Sequence, residues 1–416
     1  MVETIDAAFA FAAAAVIAWI LVPVAESLAW KIGAIDRPRA RSLHVAPTPK
    51  LSGAAILIAV LVSGAIFLPD NEETRAILIG AAAIAAVGVI DDVVDLPPLL
   101  KLIGQIAAAI IPVQAGVTVD VFTLPFVGGV DPSATKLFEL PLIGRVDAGD
   151  IATVFGIVAM ANVVNLIDGV DGLAAGVCVI SAATLAAVAL SLDRNPAGVL
   201  AAITAGGALG FLRHGFPPAS SFMGDTGSNL LGYLLAVAAV QGALKTNAVV
   251  ALAFPLLVLA VPILDTGFVV AKRLKYRRPI YEADTWHFHH RMANIGFSQR
   301  RTLAYLYGWT LVMAGVALAL RFVPYSDDRG NFDAAWTVVM AVILLAGIAA
   351  SFYVIYVLEI LKLRRFRQRQ VQATGAAAPE EVIDREVERE LETGSFREPD
   401  PETGEFAEID PEDSPN

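Results

Sequence analysis

A chain of 416 residues with 56% hydrophobic and only 17% charged residues, at a mean hydropathy of +0.65, excludes an ordinary soluble domain. Its formal net charge of -11 misleads, because residues 371–416 hold 15 acids against 3 Arg and supply -12, leaving the body near +1. The composition is that of an integral membrane protein.

An α-helix needs roughly 17 to 25 apolar residues to cross the hydrocarbon layer. Runs of about that length recur at 5–29, 51–69, 76–90, 99–115, 150–165, 174–192, 196–212, 228–244, 247–270, 302–322 and 334–360. The expectation is therefore an all-α, polytopic protein of about eleven transmembrane helices, with the third and fifth unusually short. The first segment, Met-Val-Glu-Thr-Ile-Asp, carries acids where a cleaved leader carries bases, so the first span is expected to stay. The loop 116–150 alternates apolar and polar residues over Val117–Leu124 and breaks at Gly128-Gly129, which predicts a small β-hairpin.

Lys and Arg divide unevenly between the gaps. One side holds 20 of them, including Arg37, Lys50, Lys101 and the stretch from Lys272 to Arg301, and the other holds 7. By the positive-inside rule the rich side faces the cytoplasm, the N-terminus lies outside and the C-terminus inside. The chain divides into a membrane-embedded domain, 1–370, and an acidic tail, 371–416. The tail is poor in apolar residues and reads as disordered, apart from a short helix around 379–392.

Four polar clusters fall on the basic side. Asp91-Asp92 follows the third span, and adjacent carboxylates repel unless a cation or proton separates them. Hard oxygen donors in pairs suit Mg²⁺; an ordinary polar helix end is the bland alternative. Lys101 and Gln105, one turn apart in the next span, are placed to face a phosphate, or Lys101 merely anchors its span. The second cluster sets Asn162, Asn165, Asp168 and Asp171 at three-residue spacing, with Gly169 and Gly172 between. Buried carboxamides are costly without partners, which an Asx-rich helix end alone does not explain. The third is Phe222-Met-Gly-Asp225-Thr-Gly-Ser, where Asp225 is either a helix cap or a ligand and Phe222 either stacks on a flat base or lies at the interface. The fourth, His287-Phe-His289-His290-Arg291, sits in the longest basic loop and lacks the cysteines of many zinc sites. Its imidazoles and Arg291 suit a diphosphate or a sugar; a solvated loop facing anionic lipid is the alternative. The lone Cys178 is read as a small packing residue.

Together the clusters suggest phosphoryl transfer from a soluble nucleotide to a membrane-held acceptor. They also carry a resemblance. With Asp36-Arg-Pro38 through His44 and Pro47-Thr-Pro-Lys50, they match in order the motifs of the polyprenyl-phosphate N-acetylhexosamine-1-phosphate transferases (glycosyltransferase family 4), over roughly 1–365. His-x-His-His-Arg resembles the branch using UDP-GlcNAc rather than the phospho-MurNAc-pentapeptide transferases, which stand as the alternative.

The resemblance implies a cytoplasmic cleft in the plasma (inner) membrane, with Mg²⁺, or Mn²⁺ in its place, as the cofactor. Expected partners are a UDP-N-acetylhexosamine, a polyprenyl phosphate and the bilayer, with no nucleic acid and a homodimer left open. It implies Asp225 and Asp92 as metal ligands and Asp91, Asp92, Asp168, His289 and His290 as catalytic. Lys101, Asn162, Asn165, Asp171, Phe222, His287, Arg291 and His44 would bind substrate. Ser42 and Leu51-Ser52-Gly53 depart from the family pattern. An ion-coupled transporter is the other function class, and it wants acids near mid-span rather than at span ends.

Overall fold

The computed structural model describes residues 4–37, 47–119, 122–124, 128–130, 134–140, 144–244, 259–275, 292, 297–325, 333–373 and four residues of the tail. Eleven α-helices lie among them. In chain order they are α1 (Thr4–Ile32), α2 (Gly53–Phe67), α3 (Glu72–Val94), α4 (Pro98–Gln114), α5 (Ala148–Ile167), α6 (Leu173–Ser191), α7 (Asn195–Gly215), α8 (Gly224–Ala239), α9 (Ala260–Lys275), α10 (Gln299–Phe322) and α11 (Ala334–Ala373). Seven of them, α1, α3, α5, α6, α7, α10 and the start of α11, are long and apolar enough to cross a membrane. The chain is a helical, multi-pass membrane protein.

Helix boundaries depart from the hydropathic runs for local reasons. The third run is not short: Asn71 accepts from the Thr74 N–H at 2.8 Å, and Glu72 and Glu73 suit a helix N-terminus, so α3 begins four residues before its apolar part. It also continues through Asp91 and Asp92 to a left-handed Asp95. Likewise α5 is 20 residues long and opens with a reciprocal capping box between Asp147 and Asp150. Helix α8 starts four residues earlier than its run and ends in a π-helical turn, Val240–Leu244. Half of the expected span 247–270, residues 247–258, lies outside the described residues; α9 begins at Ala260 and extends to Lys275.

The expected hairpin is present as β3 (Phe122–Leu124) paired antiparallel with β4 (Gly128–Val130). A second ribbon joins β5 (Lys136–Leu140) to β6 (Gly144–Asp147). A short third pairs β1 (Ile35–Asp36) with β2 (Thr48–Pro49) and brings the two ends of the first polar loop together. In the tail, residues 382, 383, 385 and 386 are helical.

The described residues form two units. The first comprises 1–283 and 299–347, and contains the converging side chains described below; the second comprises 284–298 and 348–416. At the centre of the first unit α8 is buried from Thr226 to Ala239. It packs against α2, α3, α5, α6 and α7. Such close approach needs missing side chains. A Cβ on Gly88 of α3 would lie 2.5 Å from Thr226 Cα, and one on Gly53 of α2 would lie 2.1 Å from the Gly227 nitrogen. The helix that carries Asp225 is thereby pressed against the one that carries Asp91 and Asp92.

Candidate active site

Four helices converge at the start of α8. Adjacent residues on a helix point about 100° apart, so Asp91 and Asp92 make different contacts. Asp91 accepts from the Leu96 N–H at 2.7 Å and forms an ion pair with Lys101 of α4 at 2.9 Å. Lys101 also forms a direct ion pair with Asp225, so one ammonium joins carboxylates from α3 and α8. The turn Leu96-Pro97-Pro98 reverses the chain and makes this possible, with Pro98 at the first helical position of α4 where no N–H is needed.

Asp92 turns the other way. Its two oxygens accept from the Asp225 N–H at 3.0 Å, the Thr226 N–H at 3.0 Å and the Thr226 hydroxyl at 2.7 Å, and it is only 5% exposed. Lys50 lies 4.0 Å from both Asp92 and Asp95.

The costly carboxamides have partners. Asn165 donates to Asp225 Oδ1 at 2.8 Å and to the Ser228 hydroxyl at 2.9 Å. Asn162 donates to Gln105 at 2.8 Å, Gln105 donates to Asn229 at 3.1 Å, and Asn229 donates to the Asp225 carbonyl at 2.8 Å. A continuous polar chain thus runs from α5 through α4 to α8 behind Asp225. Asn165 fixes the Asp225 side chain from one side while Lys101 holds it from the other.

Asp168 ends α5, and among the described residues no side chain donates to its carboxylate or pairs with it. Burial pushes its carboxyl well above the usual carboxylate range, and the negative charges of Asp225, Asp92 and Asp171 push it the same way. Asp171 accepts from the Ala219 N–H at 3.1 Å and so braces the loop that leads to Phe222. That loop is also tied to the first polar loop: Phe222 N–H donates to Pro49, Ser52 N–H to Phe222 and Gly53 N–H to Met223. The buried hydroxyls of Ser52 and Ser221 bond to each other. Ser52, a departure from the family pattern, therefore belongs to this seam.

The structure brings together Asp91, Asp92, Lys101, Asn162, Asn165 and Asp225, with Asp168 and Asp171 at the adjoining helix end. His44, His287, His289, His290 and Arg291 lie outside the described residues. Thr226 and Ser228 escaped the sequence reading; their position inside Gly-Asp-Thr-Gly-Ser, at the start of a buried helix, was the available signal.

The donor set is hard oxygen throughout and fits a magnesium-type cation in kind. Among the described residues, however, no three acids, histidines or cysteines are close enough to enclose an ion unaided. Such a site suits a cation that takes one or two carboxylates and completes its shell with water and substrate phosphate.

Residues 74–243, which contain all of these converging groups except Lys50 and the Ser52 seam, match the family described as "Glycosyl transferase family 4". The chain is 37% identical over 303 residues to a protein of Bacillus subtilis (strain 168) named "Probable undecaprenyl-phosphate N-acetylglucosaminyl 1-phosphate transferase", covering 72% of this chain and 81% of that one. It is 34% identical over 372 residues to the "Decaprenyl-phosphate N-acetylglucosaminephosphotransferase" of Mycobacterium tuberculosis (strain ATCC 25618 / H37Rv), covering 81% and 86%. A "Phospho-N-acetylmuramoyl-pentapeptide-transferase" of Desulforudis audaxviator (strain MP104C) is 30% identical over 346 residues, covering 76% and 97%.

Proposed function

The chain belongs to glycosyl transferase family 4, and we propose that it transfers GlcNAc-1-phosphate from UDP-GlcNAc to a polyprenyl phosphate, giving polyprenyl-diphosphate-GlcNAc and UMP. The observation that carries this reading is the meeting of Asp91, Lys101, Asn165 and Asp225 from four helices at one point. A fixed cation, carboxylates and carboxamide donors in one recess are what diphosphate chemistry requires, because positioning and charge neutralisation supply most of its catalysis.

A phosphate monoester has a second pKa of about 6, so the lipid acceptor is mostly a dianion at neutral pH and a strong base is not essential. An oxygen of that dianion attacks the sugar-bearing β-phosphorus; the bond from it to the oxygen bridging the α-phosphate breaks, and UMP leaves with the electron pair. Lys101 balances charge on the phosphates, and Asp91 orients the incoming phosphate or takes its residual proton. Asp225, fixed by Asn165, is the carboxylate that would hold Mg²⁺ or Mn²⁺. When bound, that cation neutralises the diphosphate and stabilises the leaving UMP. Asp168 serves the same recess, Asp171 and Phe222 hold the uracil, and His287, His289, His290, Arg291 and His44 contact donor phosphate or sugar.

The finer topology belongs to the same proposal: eleven spans in the plasma membrane, the N-terminus outside and the cleft cytoplasmic. The uneven distribution of Lys and Arg supports it.

The test incubates purified protein with Mg²⁺, polyprenyl phosphate and a panel of UDP-sugars, reading UMP and the lipid product. Transfer from UDP-GlcNAc is expected. Transfer only from UDP-MurNAc-pentapeptide overturns the choice of donor, and UMP release without any lipid acceptor favours a covalent aspartyl intermediate over direct attack.

A further inference from the structure

Although adjacent to Asp91, Asp92 is engaged in a different task. Helix α8 begins at Gly224, and its own N-cap residue, Met223, makes no side-chain cap bond. The first N–H groups of a helix need acceptors, and a buried one left unpaired is expensive. Asp92 supplies them from another helix, taking both the Asp225 and Thr226 N–H groups and the Thr226 hydroxyl. A carboxylate offers about four lone-pair positions, and three are filled by these bonds. The surroundings are shaped to this contact. Gly224 has φ +64°, and a Cβ there would lie 2.5 and 2.6 Å from the two Asp92 oxygens. One turn earlier on α3, Gly88 leaves the space into which Thr226 fits. The remaining position is on Oδ1, which the Lys50 ammonium already approaches at 4.0 Å.

We propose that Asp92 is a positioning residue that caps α8 in trans and thereby sets Asp225, and that it neither ligates the cation nor touches the transferred phosphate. The proposal rests on the transferase reading above. It separates two neighbouring acids by role: Asp91 faces the reacting groups, and Asp92 holds the helix that presents Asp225 to them.

The test is a double-mutant cycle of Asp92→Asn and Thr226→Val, with Asp91→Asn for comparison and Thr226→Ser as the conservative variant. It is read by kcat, by the pH profile of UMP release and by Tm. Loss of a cap corresponds to about a 30-fold effect at most, whereas removing a group that moves a proton costs about 10²- to 10⁴-fold. Asp92→Asn is therefore expected to lower kcat by about 30-fold or less with both limbs of the pH profile kept. The double variant should fall no further than the worse single one, since both substitutions break the same contact. Thr226→Ser should retain more activity than Thr226→Val. Loss of a limb, a drop as large as that of Asp91→Asn, or multiplying losses in the cycle would overturn the proposal. If the wild-type protein releases no UMP from UDP-GlcNAc and polyprenyl phosphate, the transferase reading fails instead. The cap is then judged by Tm alone, where additive shifts overturn it.

Discussion

Lys101 and Asp225, 124 positions apart in the chain, form a direct ion pair at the head of α8. The same ammonium reaches Asp91 at 2.9 Å, so it separates two carboxylates that would otherwise repel. Lys101→Met leaves those acids facing each other and removes the fixed cation beside the phosphates. The expected loss in kcat/KM for UMP release is about 10²- to 10³-fold, the scale for removing one preorganised electrostatic group. Lys101→Arg should not restore activity, because a planar guanidinium does not replace a compact ammonium between two acids. A loss below tenfold for the Met variant would remove Lys101 from the machinery.

The hard-oxygen donor set leads to a second expectation. Chelation with EDTA should abolish UMP release, and added Mg²⁺ or Mn²⁺ should restore it. With few protein carboxylates available to the ion, affinity depends on each one. Asp225→Asn should therefore raise the Mg²⁺ concentration needed for half-maximal activity at least tenfold, measured by titrating the chelated enzyme. Undiminished activity in EDTA would end the metal assignment.

Packing around α8 gives a stability test that needs no substrate. A Cβ on Gly53 would sit 2.1 Å from the Gly227 nitrogen and 2.6 Å from the Met223 carbonyl oxygen, with backbone on both sides and no flexible side chain to yield. Overpacking of this kind costs about 1–3 kcal/mol. Gly53→Ala is expected to lower Tm and activity together, whereas Gly156→Ala, whose Cβ meets nothing within 4 Å, should not lower Tm.

What the sequence made legible follows from what its patterns encode. Apolar runs report burial or lipid, so they located the long helices, and the motif order carried the family. The runs missed polar helix ends, which is why α3 looked short: Glu72, Glu73, Asp91 and Asp92 all lie within it. The partners of Asn162 and Asn165 come from α4 and α8, and no local spacing records which distant helix will supply a buried carboxamide's acceptor. The different directions of Asp91 and Asp92 follow from helix geometry, but their targets depend on how α8 sits against α3. Gly88 and Gly53 fix that seating, and an isolated glycine in an apolar run does not announce a close backbone approach.

The acidic tail offers a simpler expectation. Every converging side chain named above lies at or before Asn229, and the tail is rich in acids and poor in apolar residues. Deleting 371–416 should leave kcat and KM for UMP release within about twofold of wild type, since surface changes remote from a site usually have small effects. Abolished activity on truncation would instead support a recruiting role for the tail.

Asp168 sets stability against function. Burial and the neighbouring charges of Asp225, Asp92 and Asp171 raise its carboxyl above the ordinary value near 3.8, so the folded protein holds a proton that the unfolded chain releases. The sign follows from linkage. Over the interval between the two values the unfolded state binds fewer protons, so stability falls as pH rises from about 4 and does not recover above the folded-state value. Asp168→Asn keeps the shape and removes the charge. In metal-free protein the Asn variant should therefore have a Tm above that of wild type at pH 7, and the difference should vanish near pH 3. If the carboxylate is retained for the reaction, the same variant should release UMP at least tenfold more slowly despite its higher Tm, the trade expected where a site stores unfavourable charge. A variant no more stable at pH 7, or one both more stable and fully active, would show that this acid is neither strained by its neighbours nor used by the enzyme.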